Sequence, residues 1–125
     1  LPVGLGEPIF DKLQSHMAYA MLSINACKGF EYGSGFEGVG LKGSEMYLSN
    51  DPQLISGGIA GGISDGHPIV FRCVFKPTAS NRKTLSTLNS QLSTLKPGRH
   101  DACIAVRAVA VVEAMAALVL QDFLP

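Results

Sequence analysis

From Ala102 to Leu124 the chain carries apolar side chains on almost every side, and Arg107, Glu113 and Asp122 are the only charges in the run. A solvated helix shows one apolar stripe and one polar face, so a segment that is apolar all round must be buried on several faces. A membrane span competes with that reading, but it needs about 20 uninterrupted apolar residues, and the three charges break the run. The segment therefore predicts a helix packed against sheets or other helices, with its many alanines allowing close approach. Composition agrees: 46% of the chain is hydrophobic and only 16% is charged, against a usual charged share of about 25%. A chain of 125 residues is one ordinary domain. Its surplus of apolar side chain predicts that another chain or segment covers part of its surface. Ten basic and ten acidic residues leave a formal charge of zero, which argues against a nucleic-acid partner.

The other end of the chain predicts a second helix. After Glu7-Pro8, the residues Ile9, Leu13, Met17, Ala20, Met21 and Ile24 recur at spacings of three and four, one apolar stripe running to about Ser23. Proline suits the first turn of such a helix because its missing N–H leaves no bond unmade. His16 sits beside the stripe and reads as a solvated or hydrogen-bonded helix histidine. Phe30–Tyr32 and Phe36–Lys42 read as the two strands of a hairpin across Gly33-Ser34-Gly35, and residues 43–56 as polar and irregular. Ile69, Phe71, Cys73 and Phe75 alternate with Val70, Arg72, Val74 and Lys76, the clearest strand in the chain. Residues 78–97 form a polar excursion in which Leu85, Leu88, Leu92 and Leu95 allow a weak helix. Cys27, Cys73 and Cys103 are scattered with no C-x-x-C pair, so all three read as small apolar core residues in a reducing compartment. The chain opens at Leu1 with no basic and apolar leader. That predicts no signal peptide, and a start in mid-phrase suggests a fragment.

Three segments can carry chemistry. Residues 57–66 hold five glycines in ten; their backbone N–H groups can approach a phosphate closely, or they can form a tight turn before a strand. The run lacks the G-K-[S/T] ending of a Walker loop and does not fit G-x-G-x-x-G. Lys76-Pro77-Thr78-Ala79-Ser80 places one cation and two hydroxyls just past the clear strand, a clamp for an anion or a strand end with a solvated lysine. Gly98-Arg99-His100-Asp101 is the densest polar cluster. Arg99 offers a planar fork, His100 titrates near neutrality, and Asp101 serves either as a base or as the N-cap of the last helix. His67 reads as a loop residue. No metal-ligand spacing is present.

Taken in order, Gly4-Leu-Gly-Glu-Pro8, Ser23-Ile-Asn-Ala26, Lys28-Gly-Phe-Glu31, Gly33-Ser-Gly-Phe-Glu37, Gly57-Gly-Ile59, Gly61-Gly-Ile-Ser64, Phe75-Lys-Pro-Thr78, Gly98-Arg-His-Asp101, Arg107-Ala-Val109 and Val112-Glu-Ala-Met115 closely resemble the C-terminal part of chorismate synthase over nearly the whole chain. The resemblance implies an α+β fold, the C-terminal portion of a β-α-β sandwich with helices between antiparallel sheets, in a homotetramer. It implies a carbon–oxygen lyase that converts 5-enolpyruvylshikimate 3-phosphate to chorismate by 1,4-anti elimination of phosphate, with reduced FMN as cofactor. It also implies a cytoplasmic setting, or a plastid in a plant or alga. Carried over by position, Asn25, Ala26, Gly61, Lys76, Pro77, Thr78, Ala79, Ser80 and Arg99 match flavin-contacting positions. Asp101 matches the aspartate that acts on the reactive flavin nitrogen. The family's proton-transferring histidines lie outside these motifs, so this chain alone is expected to be inactive. Ala102 and Ala110 stand where the family usually has prolines, and Leu54 where an asparagine is common. The competing reading is a non-catalytic remnant or assembly module of the same fold.

Overall fold

The computed structural model describes residues 1–48, 55–78 and 103–125. The weak helix proposed around Leu85–Leu95, and Ala79, Ser80, Arg99 and Asp101, lie outside them. In chain order the elements are α1 (Leu13–Ser23), β1 (Cys27–Tyr32), a 3-10 helix (Gly35–Gly40), α2 (Gly43–Leu48), β2 (Ile59–Ala60), β3 (Ile63–Ser64), β4 (Phe71–Phe75) and α3 (Ala105–Phe123). β1 pairs antiparallel with β4, and β2 with β3. The result is an α+β arrangement in which both long helices contribute to covering one face of the β1–β4 sheet.

Alternation along the strands decides which face is covered. Phe30 stands opposite Cys73 and Tyr32 opposite Phe71, and these four residues pack against a core of Leu5, Leu13, Met17, Met21 and Ile59. The Phe30 and Phe71 rings stack with centroids 5.7 Å apart. On the other face Glu31 is paired with Arg72 at 2.7 Å. α3 sends Val112, Met115, Ala116, Val119, Leu120 and Phe123 to the same core, at the three- and four-residue spacings of one helical stripe. Its other faces are bare: Val106, Val109 and Leu118 are 79%, 60% and 63% exposed. Burial on several sides, expected from the sequence, is thus not met among the described residues. α1 and α3 run antiparallel, with the His16 ring edge-on to Phe123 at 5.1 Å while the other ends, near Ile24 and Ile104, line one cleft.

The glycine-rich run folds as the structural turn. Gly61 and Gly62, with φ of 63° and 103°, link β2 to β3, and positive φ at both central residues is what a type I′ hairpin turn demands. The hairpin in turn holds the N-terminal lead-in. Gly4 donates to the Ser64 carbonyl at 3.0 Å, Ser64 N–H to Leu5 at 2.9 Å, and Leu13 N–H, at the start of α1, to Gly62 at 2.8 Å. The Ser64 hydroxyl, 1% exposed, accepts from Leu5 N–H at 2.9 Å and donates to Pro2 at 2.7 Å. Every polar atom of that buried serine side chain is therefore used.

Three sequence expectations fail, each for a local reason. α1 starts at Leu13 rather than just after Pro8. Glu7 N–H bonds the Asp11 carbonyl and Asp11 N–H bonds Ile9, closing a γ-turn on Phe10, whose φ of 63° is the rare and strained form. Ile9 is left exposed. The expected Phe30–Tyr32 hairpin partner, Phe36–Lys42, is no strand: the Glu31 carboxylate accepts Phe36 N–H at 3.0 Å and turns the chain into the 3-10 helix. The polar stretch after it begins with α2, where the Glu45 carboxylate reaches back to Lys42 N–H at 2.7 Å, half of a capping box. Among the cysteines, Cys27 is buried and Cys73 packs on the core, but Cys103 is exposed; all three are free.

Candidate functional site

α1 ends at Ser23, and the next four residues turn the chain into β1. Cys27 N–H bonds the Ile24 carbonyl at 3.1 Å, with Asn25 and Ala26 as the central pair. Ala26 has φ of 71°, the left-handed conformation that the third position of a type II turn requires and that glycine or asparagine normally supplies. An alanine there stores roughly 1–2 kcal/mol of backbone strain, and residues held in such regions cluster at functional sites. Ala26→Gly should accordingly raise stability by about 0.5–1 kcal/mol, the relieved strain less the entropy glycine regains in the unfolded chain. A urea midpoint that falls in this variant would show that the methyl is held by packing and the turn is unstrained.

The same turn is locked to the end of β4. Lys76 N–H donates to the Ala26 carbonyl at 2.9 Å, one step past the last strand pair, Cys27 with Phe75. Beside it the register slips by one residue between Cys27 and Gly29, a bulge of the kind that re-aims side chains next to binding sites. Asn25, Ala26 and Lys76 are thus brought together, with Pro77 and Thr78 following on the exposed chain. Gly61 is not with them. It is exposed at the β2–β3 turn, by the N-terminal end of α1, roughly 16 Å away by the rise of an 11-residue helix.

A cleft of about 510 Å³ opens next to the Asn25 turn, lined by Ile24, Asn25, Phe75, Ile104, Arg107 and Val111 among others. Small-molecule sites have this form, about 300–1,000 Å³ with mostly apolar walls and few polar groups. Arg107 is the cleft's one charged side chain, and it has no ion pair among the described residues. It stands in the first turn of α3, which holds no acidic residue. A helix dipole disfavours a cation at that end by roughly 0.3–1 kcal/mol. Sequence reading gave Arg107 no role; the available signal was a lone guanidinium in an Ala- and Val-rich helix. The N-cap of α3 is Ile104, without a side-chain cap; Asp101, given as an N-cap by one sequence reading, lies outside the described residues. A second cavity of about 410 Å³, lined by Gln14, Phe30, Tyr32, Phe36 and Val39 among others, touches none of the candidate residues that the structure describes.

The remaining titratable groups fit structural roles. His16 bonds the Asp11 carboxylate at 3.0 Å and His67 bonds Asp65 at 3.1 Å. The Asp65 carboxyl is held below its ordinary value, chiefly by the His67 backbone N–H that it accepts. Burial, with Cys27 alongside, pushes the Cys73 thiol up to about 11, which makes it a poor nucleophile at neutral pH. Among the described residues no group of His, Cys, Asp and Glu is placed to hold a metal, and no helix is long and apolar enough to cross a membrane.

A family model described as chorismate synthase matches residues 1–124. The chain belongs to the chorismate synthase family. Chorismate synthases of Christiangramia forsetii and Synechocystis sp. are 51% and 50% identical to it, each over 98% of its length; that of Synechococcus sp. strain CC9605 is 53% identical over the same share. A crystal structure of chorismate synthase aligns with 98% of the chain at a TM-score of 0.67 and 33% identity. The chain spans 37% of the length of these sequence relatives and 33% of that solved chorismate synthase chain.

Proposed function

We propose that this chain is the C-terminal, flavin-holding portion of a working chorismate synthase. That lyase eliminates phosphate from 5-enolpyruvylshikimate 3-phosphate to give chorismate, as a homotetramer in the cytoplasm or a plastid. The observation that carries the reading is that Asn25 lines a ligand-sized cleft from a turn that a backbone bond ties to Lys76, in a chain of this family. The donor set suits a flavin nucleotide: apolar walls for the ring system, an amide beside them, and cations for a phosphate. Reduced FMN, when bound, supplies electron density that assists loss of the allylic phosphate with no net redox change.

The chain's own residues bind and orient. Asn25 offers both a hydrogen-bond donor and an acceptor from a turn fixed by two backbone bonds. Lys76 brings a point charge, and Thr78 a hydroxyl, on the strand end tied to that turn. Ala79, Ser80 and Arg99 extend the set by resemblance, and Gly61 would meet a ligand long enough to span α1. Asp101, by resemblance, holds a proton at its carboxylate for the reactive ring nitrogen. Substrate turnover needs residues this chain does not contain, so the chain by itself binds cofactor without catalysis.

Titration of the purified chain with oxidised and reduced FMN tests this. Binding should saturate, and Lys76→Ala should weaken it about tenfold, the loss of one charge-assisted contact. A folded chain that binds no flavin, or a Lys76→Ala variant with unchanged affinity, would remove Lys76 and its turn from the cofactor site.

A further inference from the structure

We propose that Arg107 is a further binding residue of the cleft, gripping the phosphate monoester of its occupant; the inference rests on reading the cleft as a ligand site. Among the described residues Arg107 is the only charged side chain lining an otherwise largely apolar cleft of about 510 Å³. Its guanidinium is unmatched by any carboxylate among the described residues, and its place in the first turn of α3, with no acidic neighbour there, is one where the helix dipole opposes a cation. Neither helix stability nor an ion pair among the described residues explains the residue. Burial of its neighbour Ala108 seats this turn of the helix, which fixes the arginine at the cleft wall. A guanidinium presents two parallel N–H donors in the geometry of two phosphate oxygens, where an ammonium presents only a point charge. Lys76, exposed beside the Asn25–Ala26 turn and not among the residues lining the cleft, can attend another acceptor.

Both the flavin nucleotide and 5-enolpyruvylshikimate 3-phosphate carry a phosphate monoester, and the test separates them. Dissociation constants are measured for FMN, for riboflavin, which lacks the phosphate, and for the substrate, using the wild-type chain, Arg107→Gln and Arg107→Lys. In parallel, the arginine Nε–H resonances of the wild-type chain, assigned by their loss in Arg107→Gln, are followed by NMR during titration with inorganic phosphate. Loss of a charge-assisted bidentate contact should weaken FMN roughly ten- to a hundredfold in Arg107→Gln, leave riboflavin unchanged, and be partly restored in Arg107→Lys. Weakening confined to the substrate would assign the same grip to the substrate's phosphate. Equal weakening of FMN and riboflavin would mean that Arg107 shapes the cleft without holding phosphate, and the inference would fall while the flavin reading stood. If the wild-type chain bound neither flavin, the flavin reading would fail. A phosphate-dependent shift of the Arg107 Nε–H would then still support the grip, and an unmoved resonance would overturn it.

Discussion

Gly33→Ala is expected to lower the unfolding free energy by about 2–5 kcal/mol, combining a left-handed backbone penalty of roughly 1–2 with an overpacking penalty of roughly 1–3. Gly33 has φ of 56° at the end of β1. Its N–H donates to Val70 at 2.9 Å, and the next residue, Ser34, donates to Ile55 at 3.2 Å. A methyl at Gly33 would run into the Ile55 carbonyl and lie 2.8 Å from the Gly57 nitrogen. These are backbone atoms and cannot swing aside as a side-chain tip would, so the strand end and the segment after residue 55 must part. Gly61→Ala is the control, because its φ of 63° is nearly the same but nothing lies within 4 Å of the added methyl. It should cost only the backbone share, about 1–2 kcal/mol. Urea unfolding of the two variants decides the matter. Equal losses would mean that the dihedral, and not the collision, governs both positions.

Leu13→Ala comes next in size, with an expected loss of about 3–5 kcal/mol. Leu13 is 0% exposed and joins three parts of the fold. It opens α1, belongs to the core with Leu5, Met17, Met21 and Ile59, and its N–H is held by Gly62 at 2.8 Å. That backbone bond prevents the helix from sliding inward to fill the space, so the cavity term should be near its full value. Leu22→Ala, on the same helix at 51% exposure, should stay within about 0.5–1 kcal/mol. A Leu13→Ala loss below about 1.5 kcal/mol would show that the lead-in collapses onto the gap, and that this end of the core is softer than its burial implies.

How much of this was legible in the sequence depends on the range of the forces that decide each element. The period of the apolar residues placed α1 and β4, because each buries one continuous stripe or face, and an unbroken apolar run placed α3. Glycine chemistry offered a tight turn within residues 57–66 as one of two readings, and the β2–β3 turn takes that one up. What could not be read was pairing: β1 takes β4 as its partner and not its sequence neighbour, and the deciding agent is the Glu31 carboxylate, bound to both Phe36 N–H and Arg72. No periodicity reports a side chain that caps one element while bridging to another strand. The late start of α1 has the same character, since the turn on Phe10 is set by the Glu7–Asp11 bond. Ordered motifs singled out the Asn25–Ala26 turn and Lys76. Their meeting in space rests on one backbone bond across the sheet, and the cleft beside them depends on the N-terminal turn of α3, far along the chain. Arg107 was overlooked because an arginine in a helix is ordinary until its surroundings are known.

The pairing of β1 with β4 also belongs to the slow part of this chain's folding. Tyr32 and Phe71 must find each other across a loop of roughly forty residues, and the entropy of closing it is spent before any ladder bond is gained. α1 with β1, and β2 with β3, are near neighbours in sequence and can form on the microsecond scale of helices and hairpins. The turn that joins Ala26 to Lys76 depends on the long closure and forms only with it. The ligand binding proposed for that turn would therefore arise late in folding, after the local elements have formed.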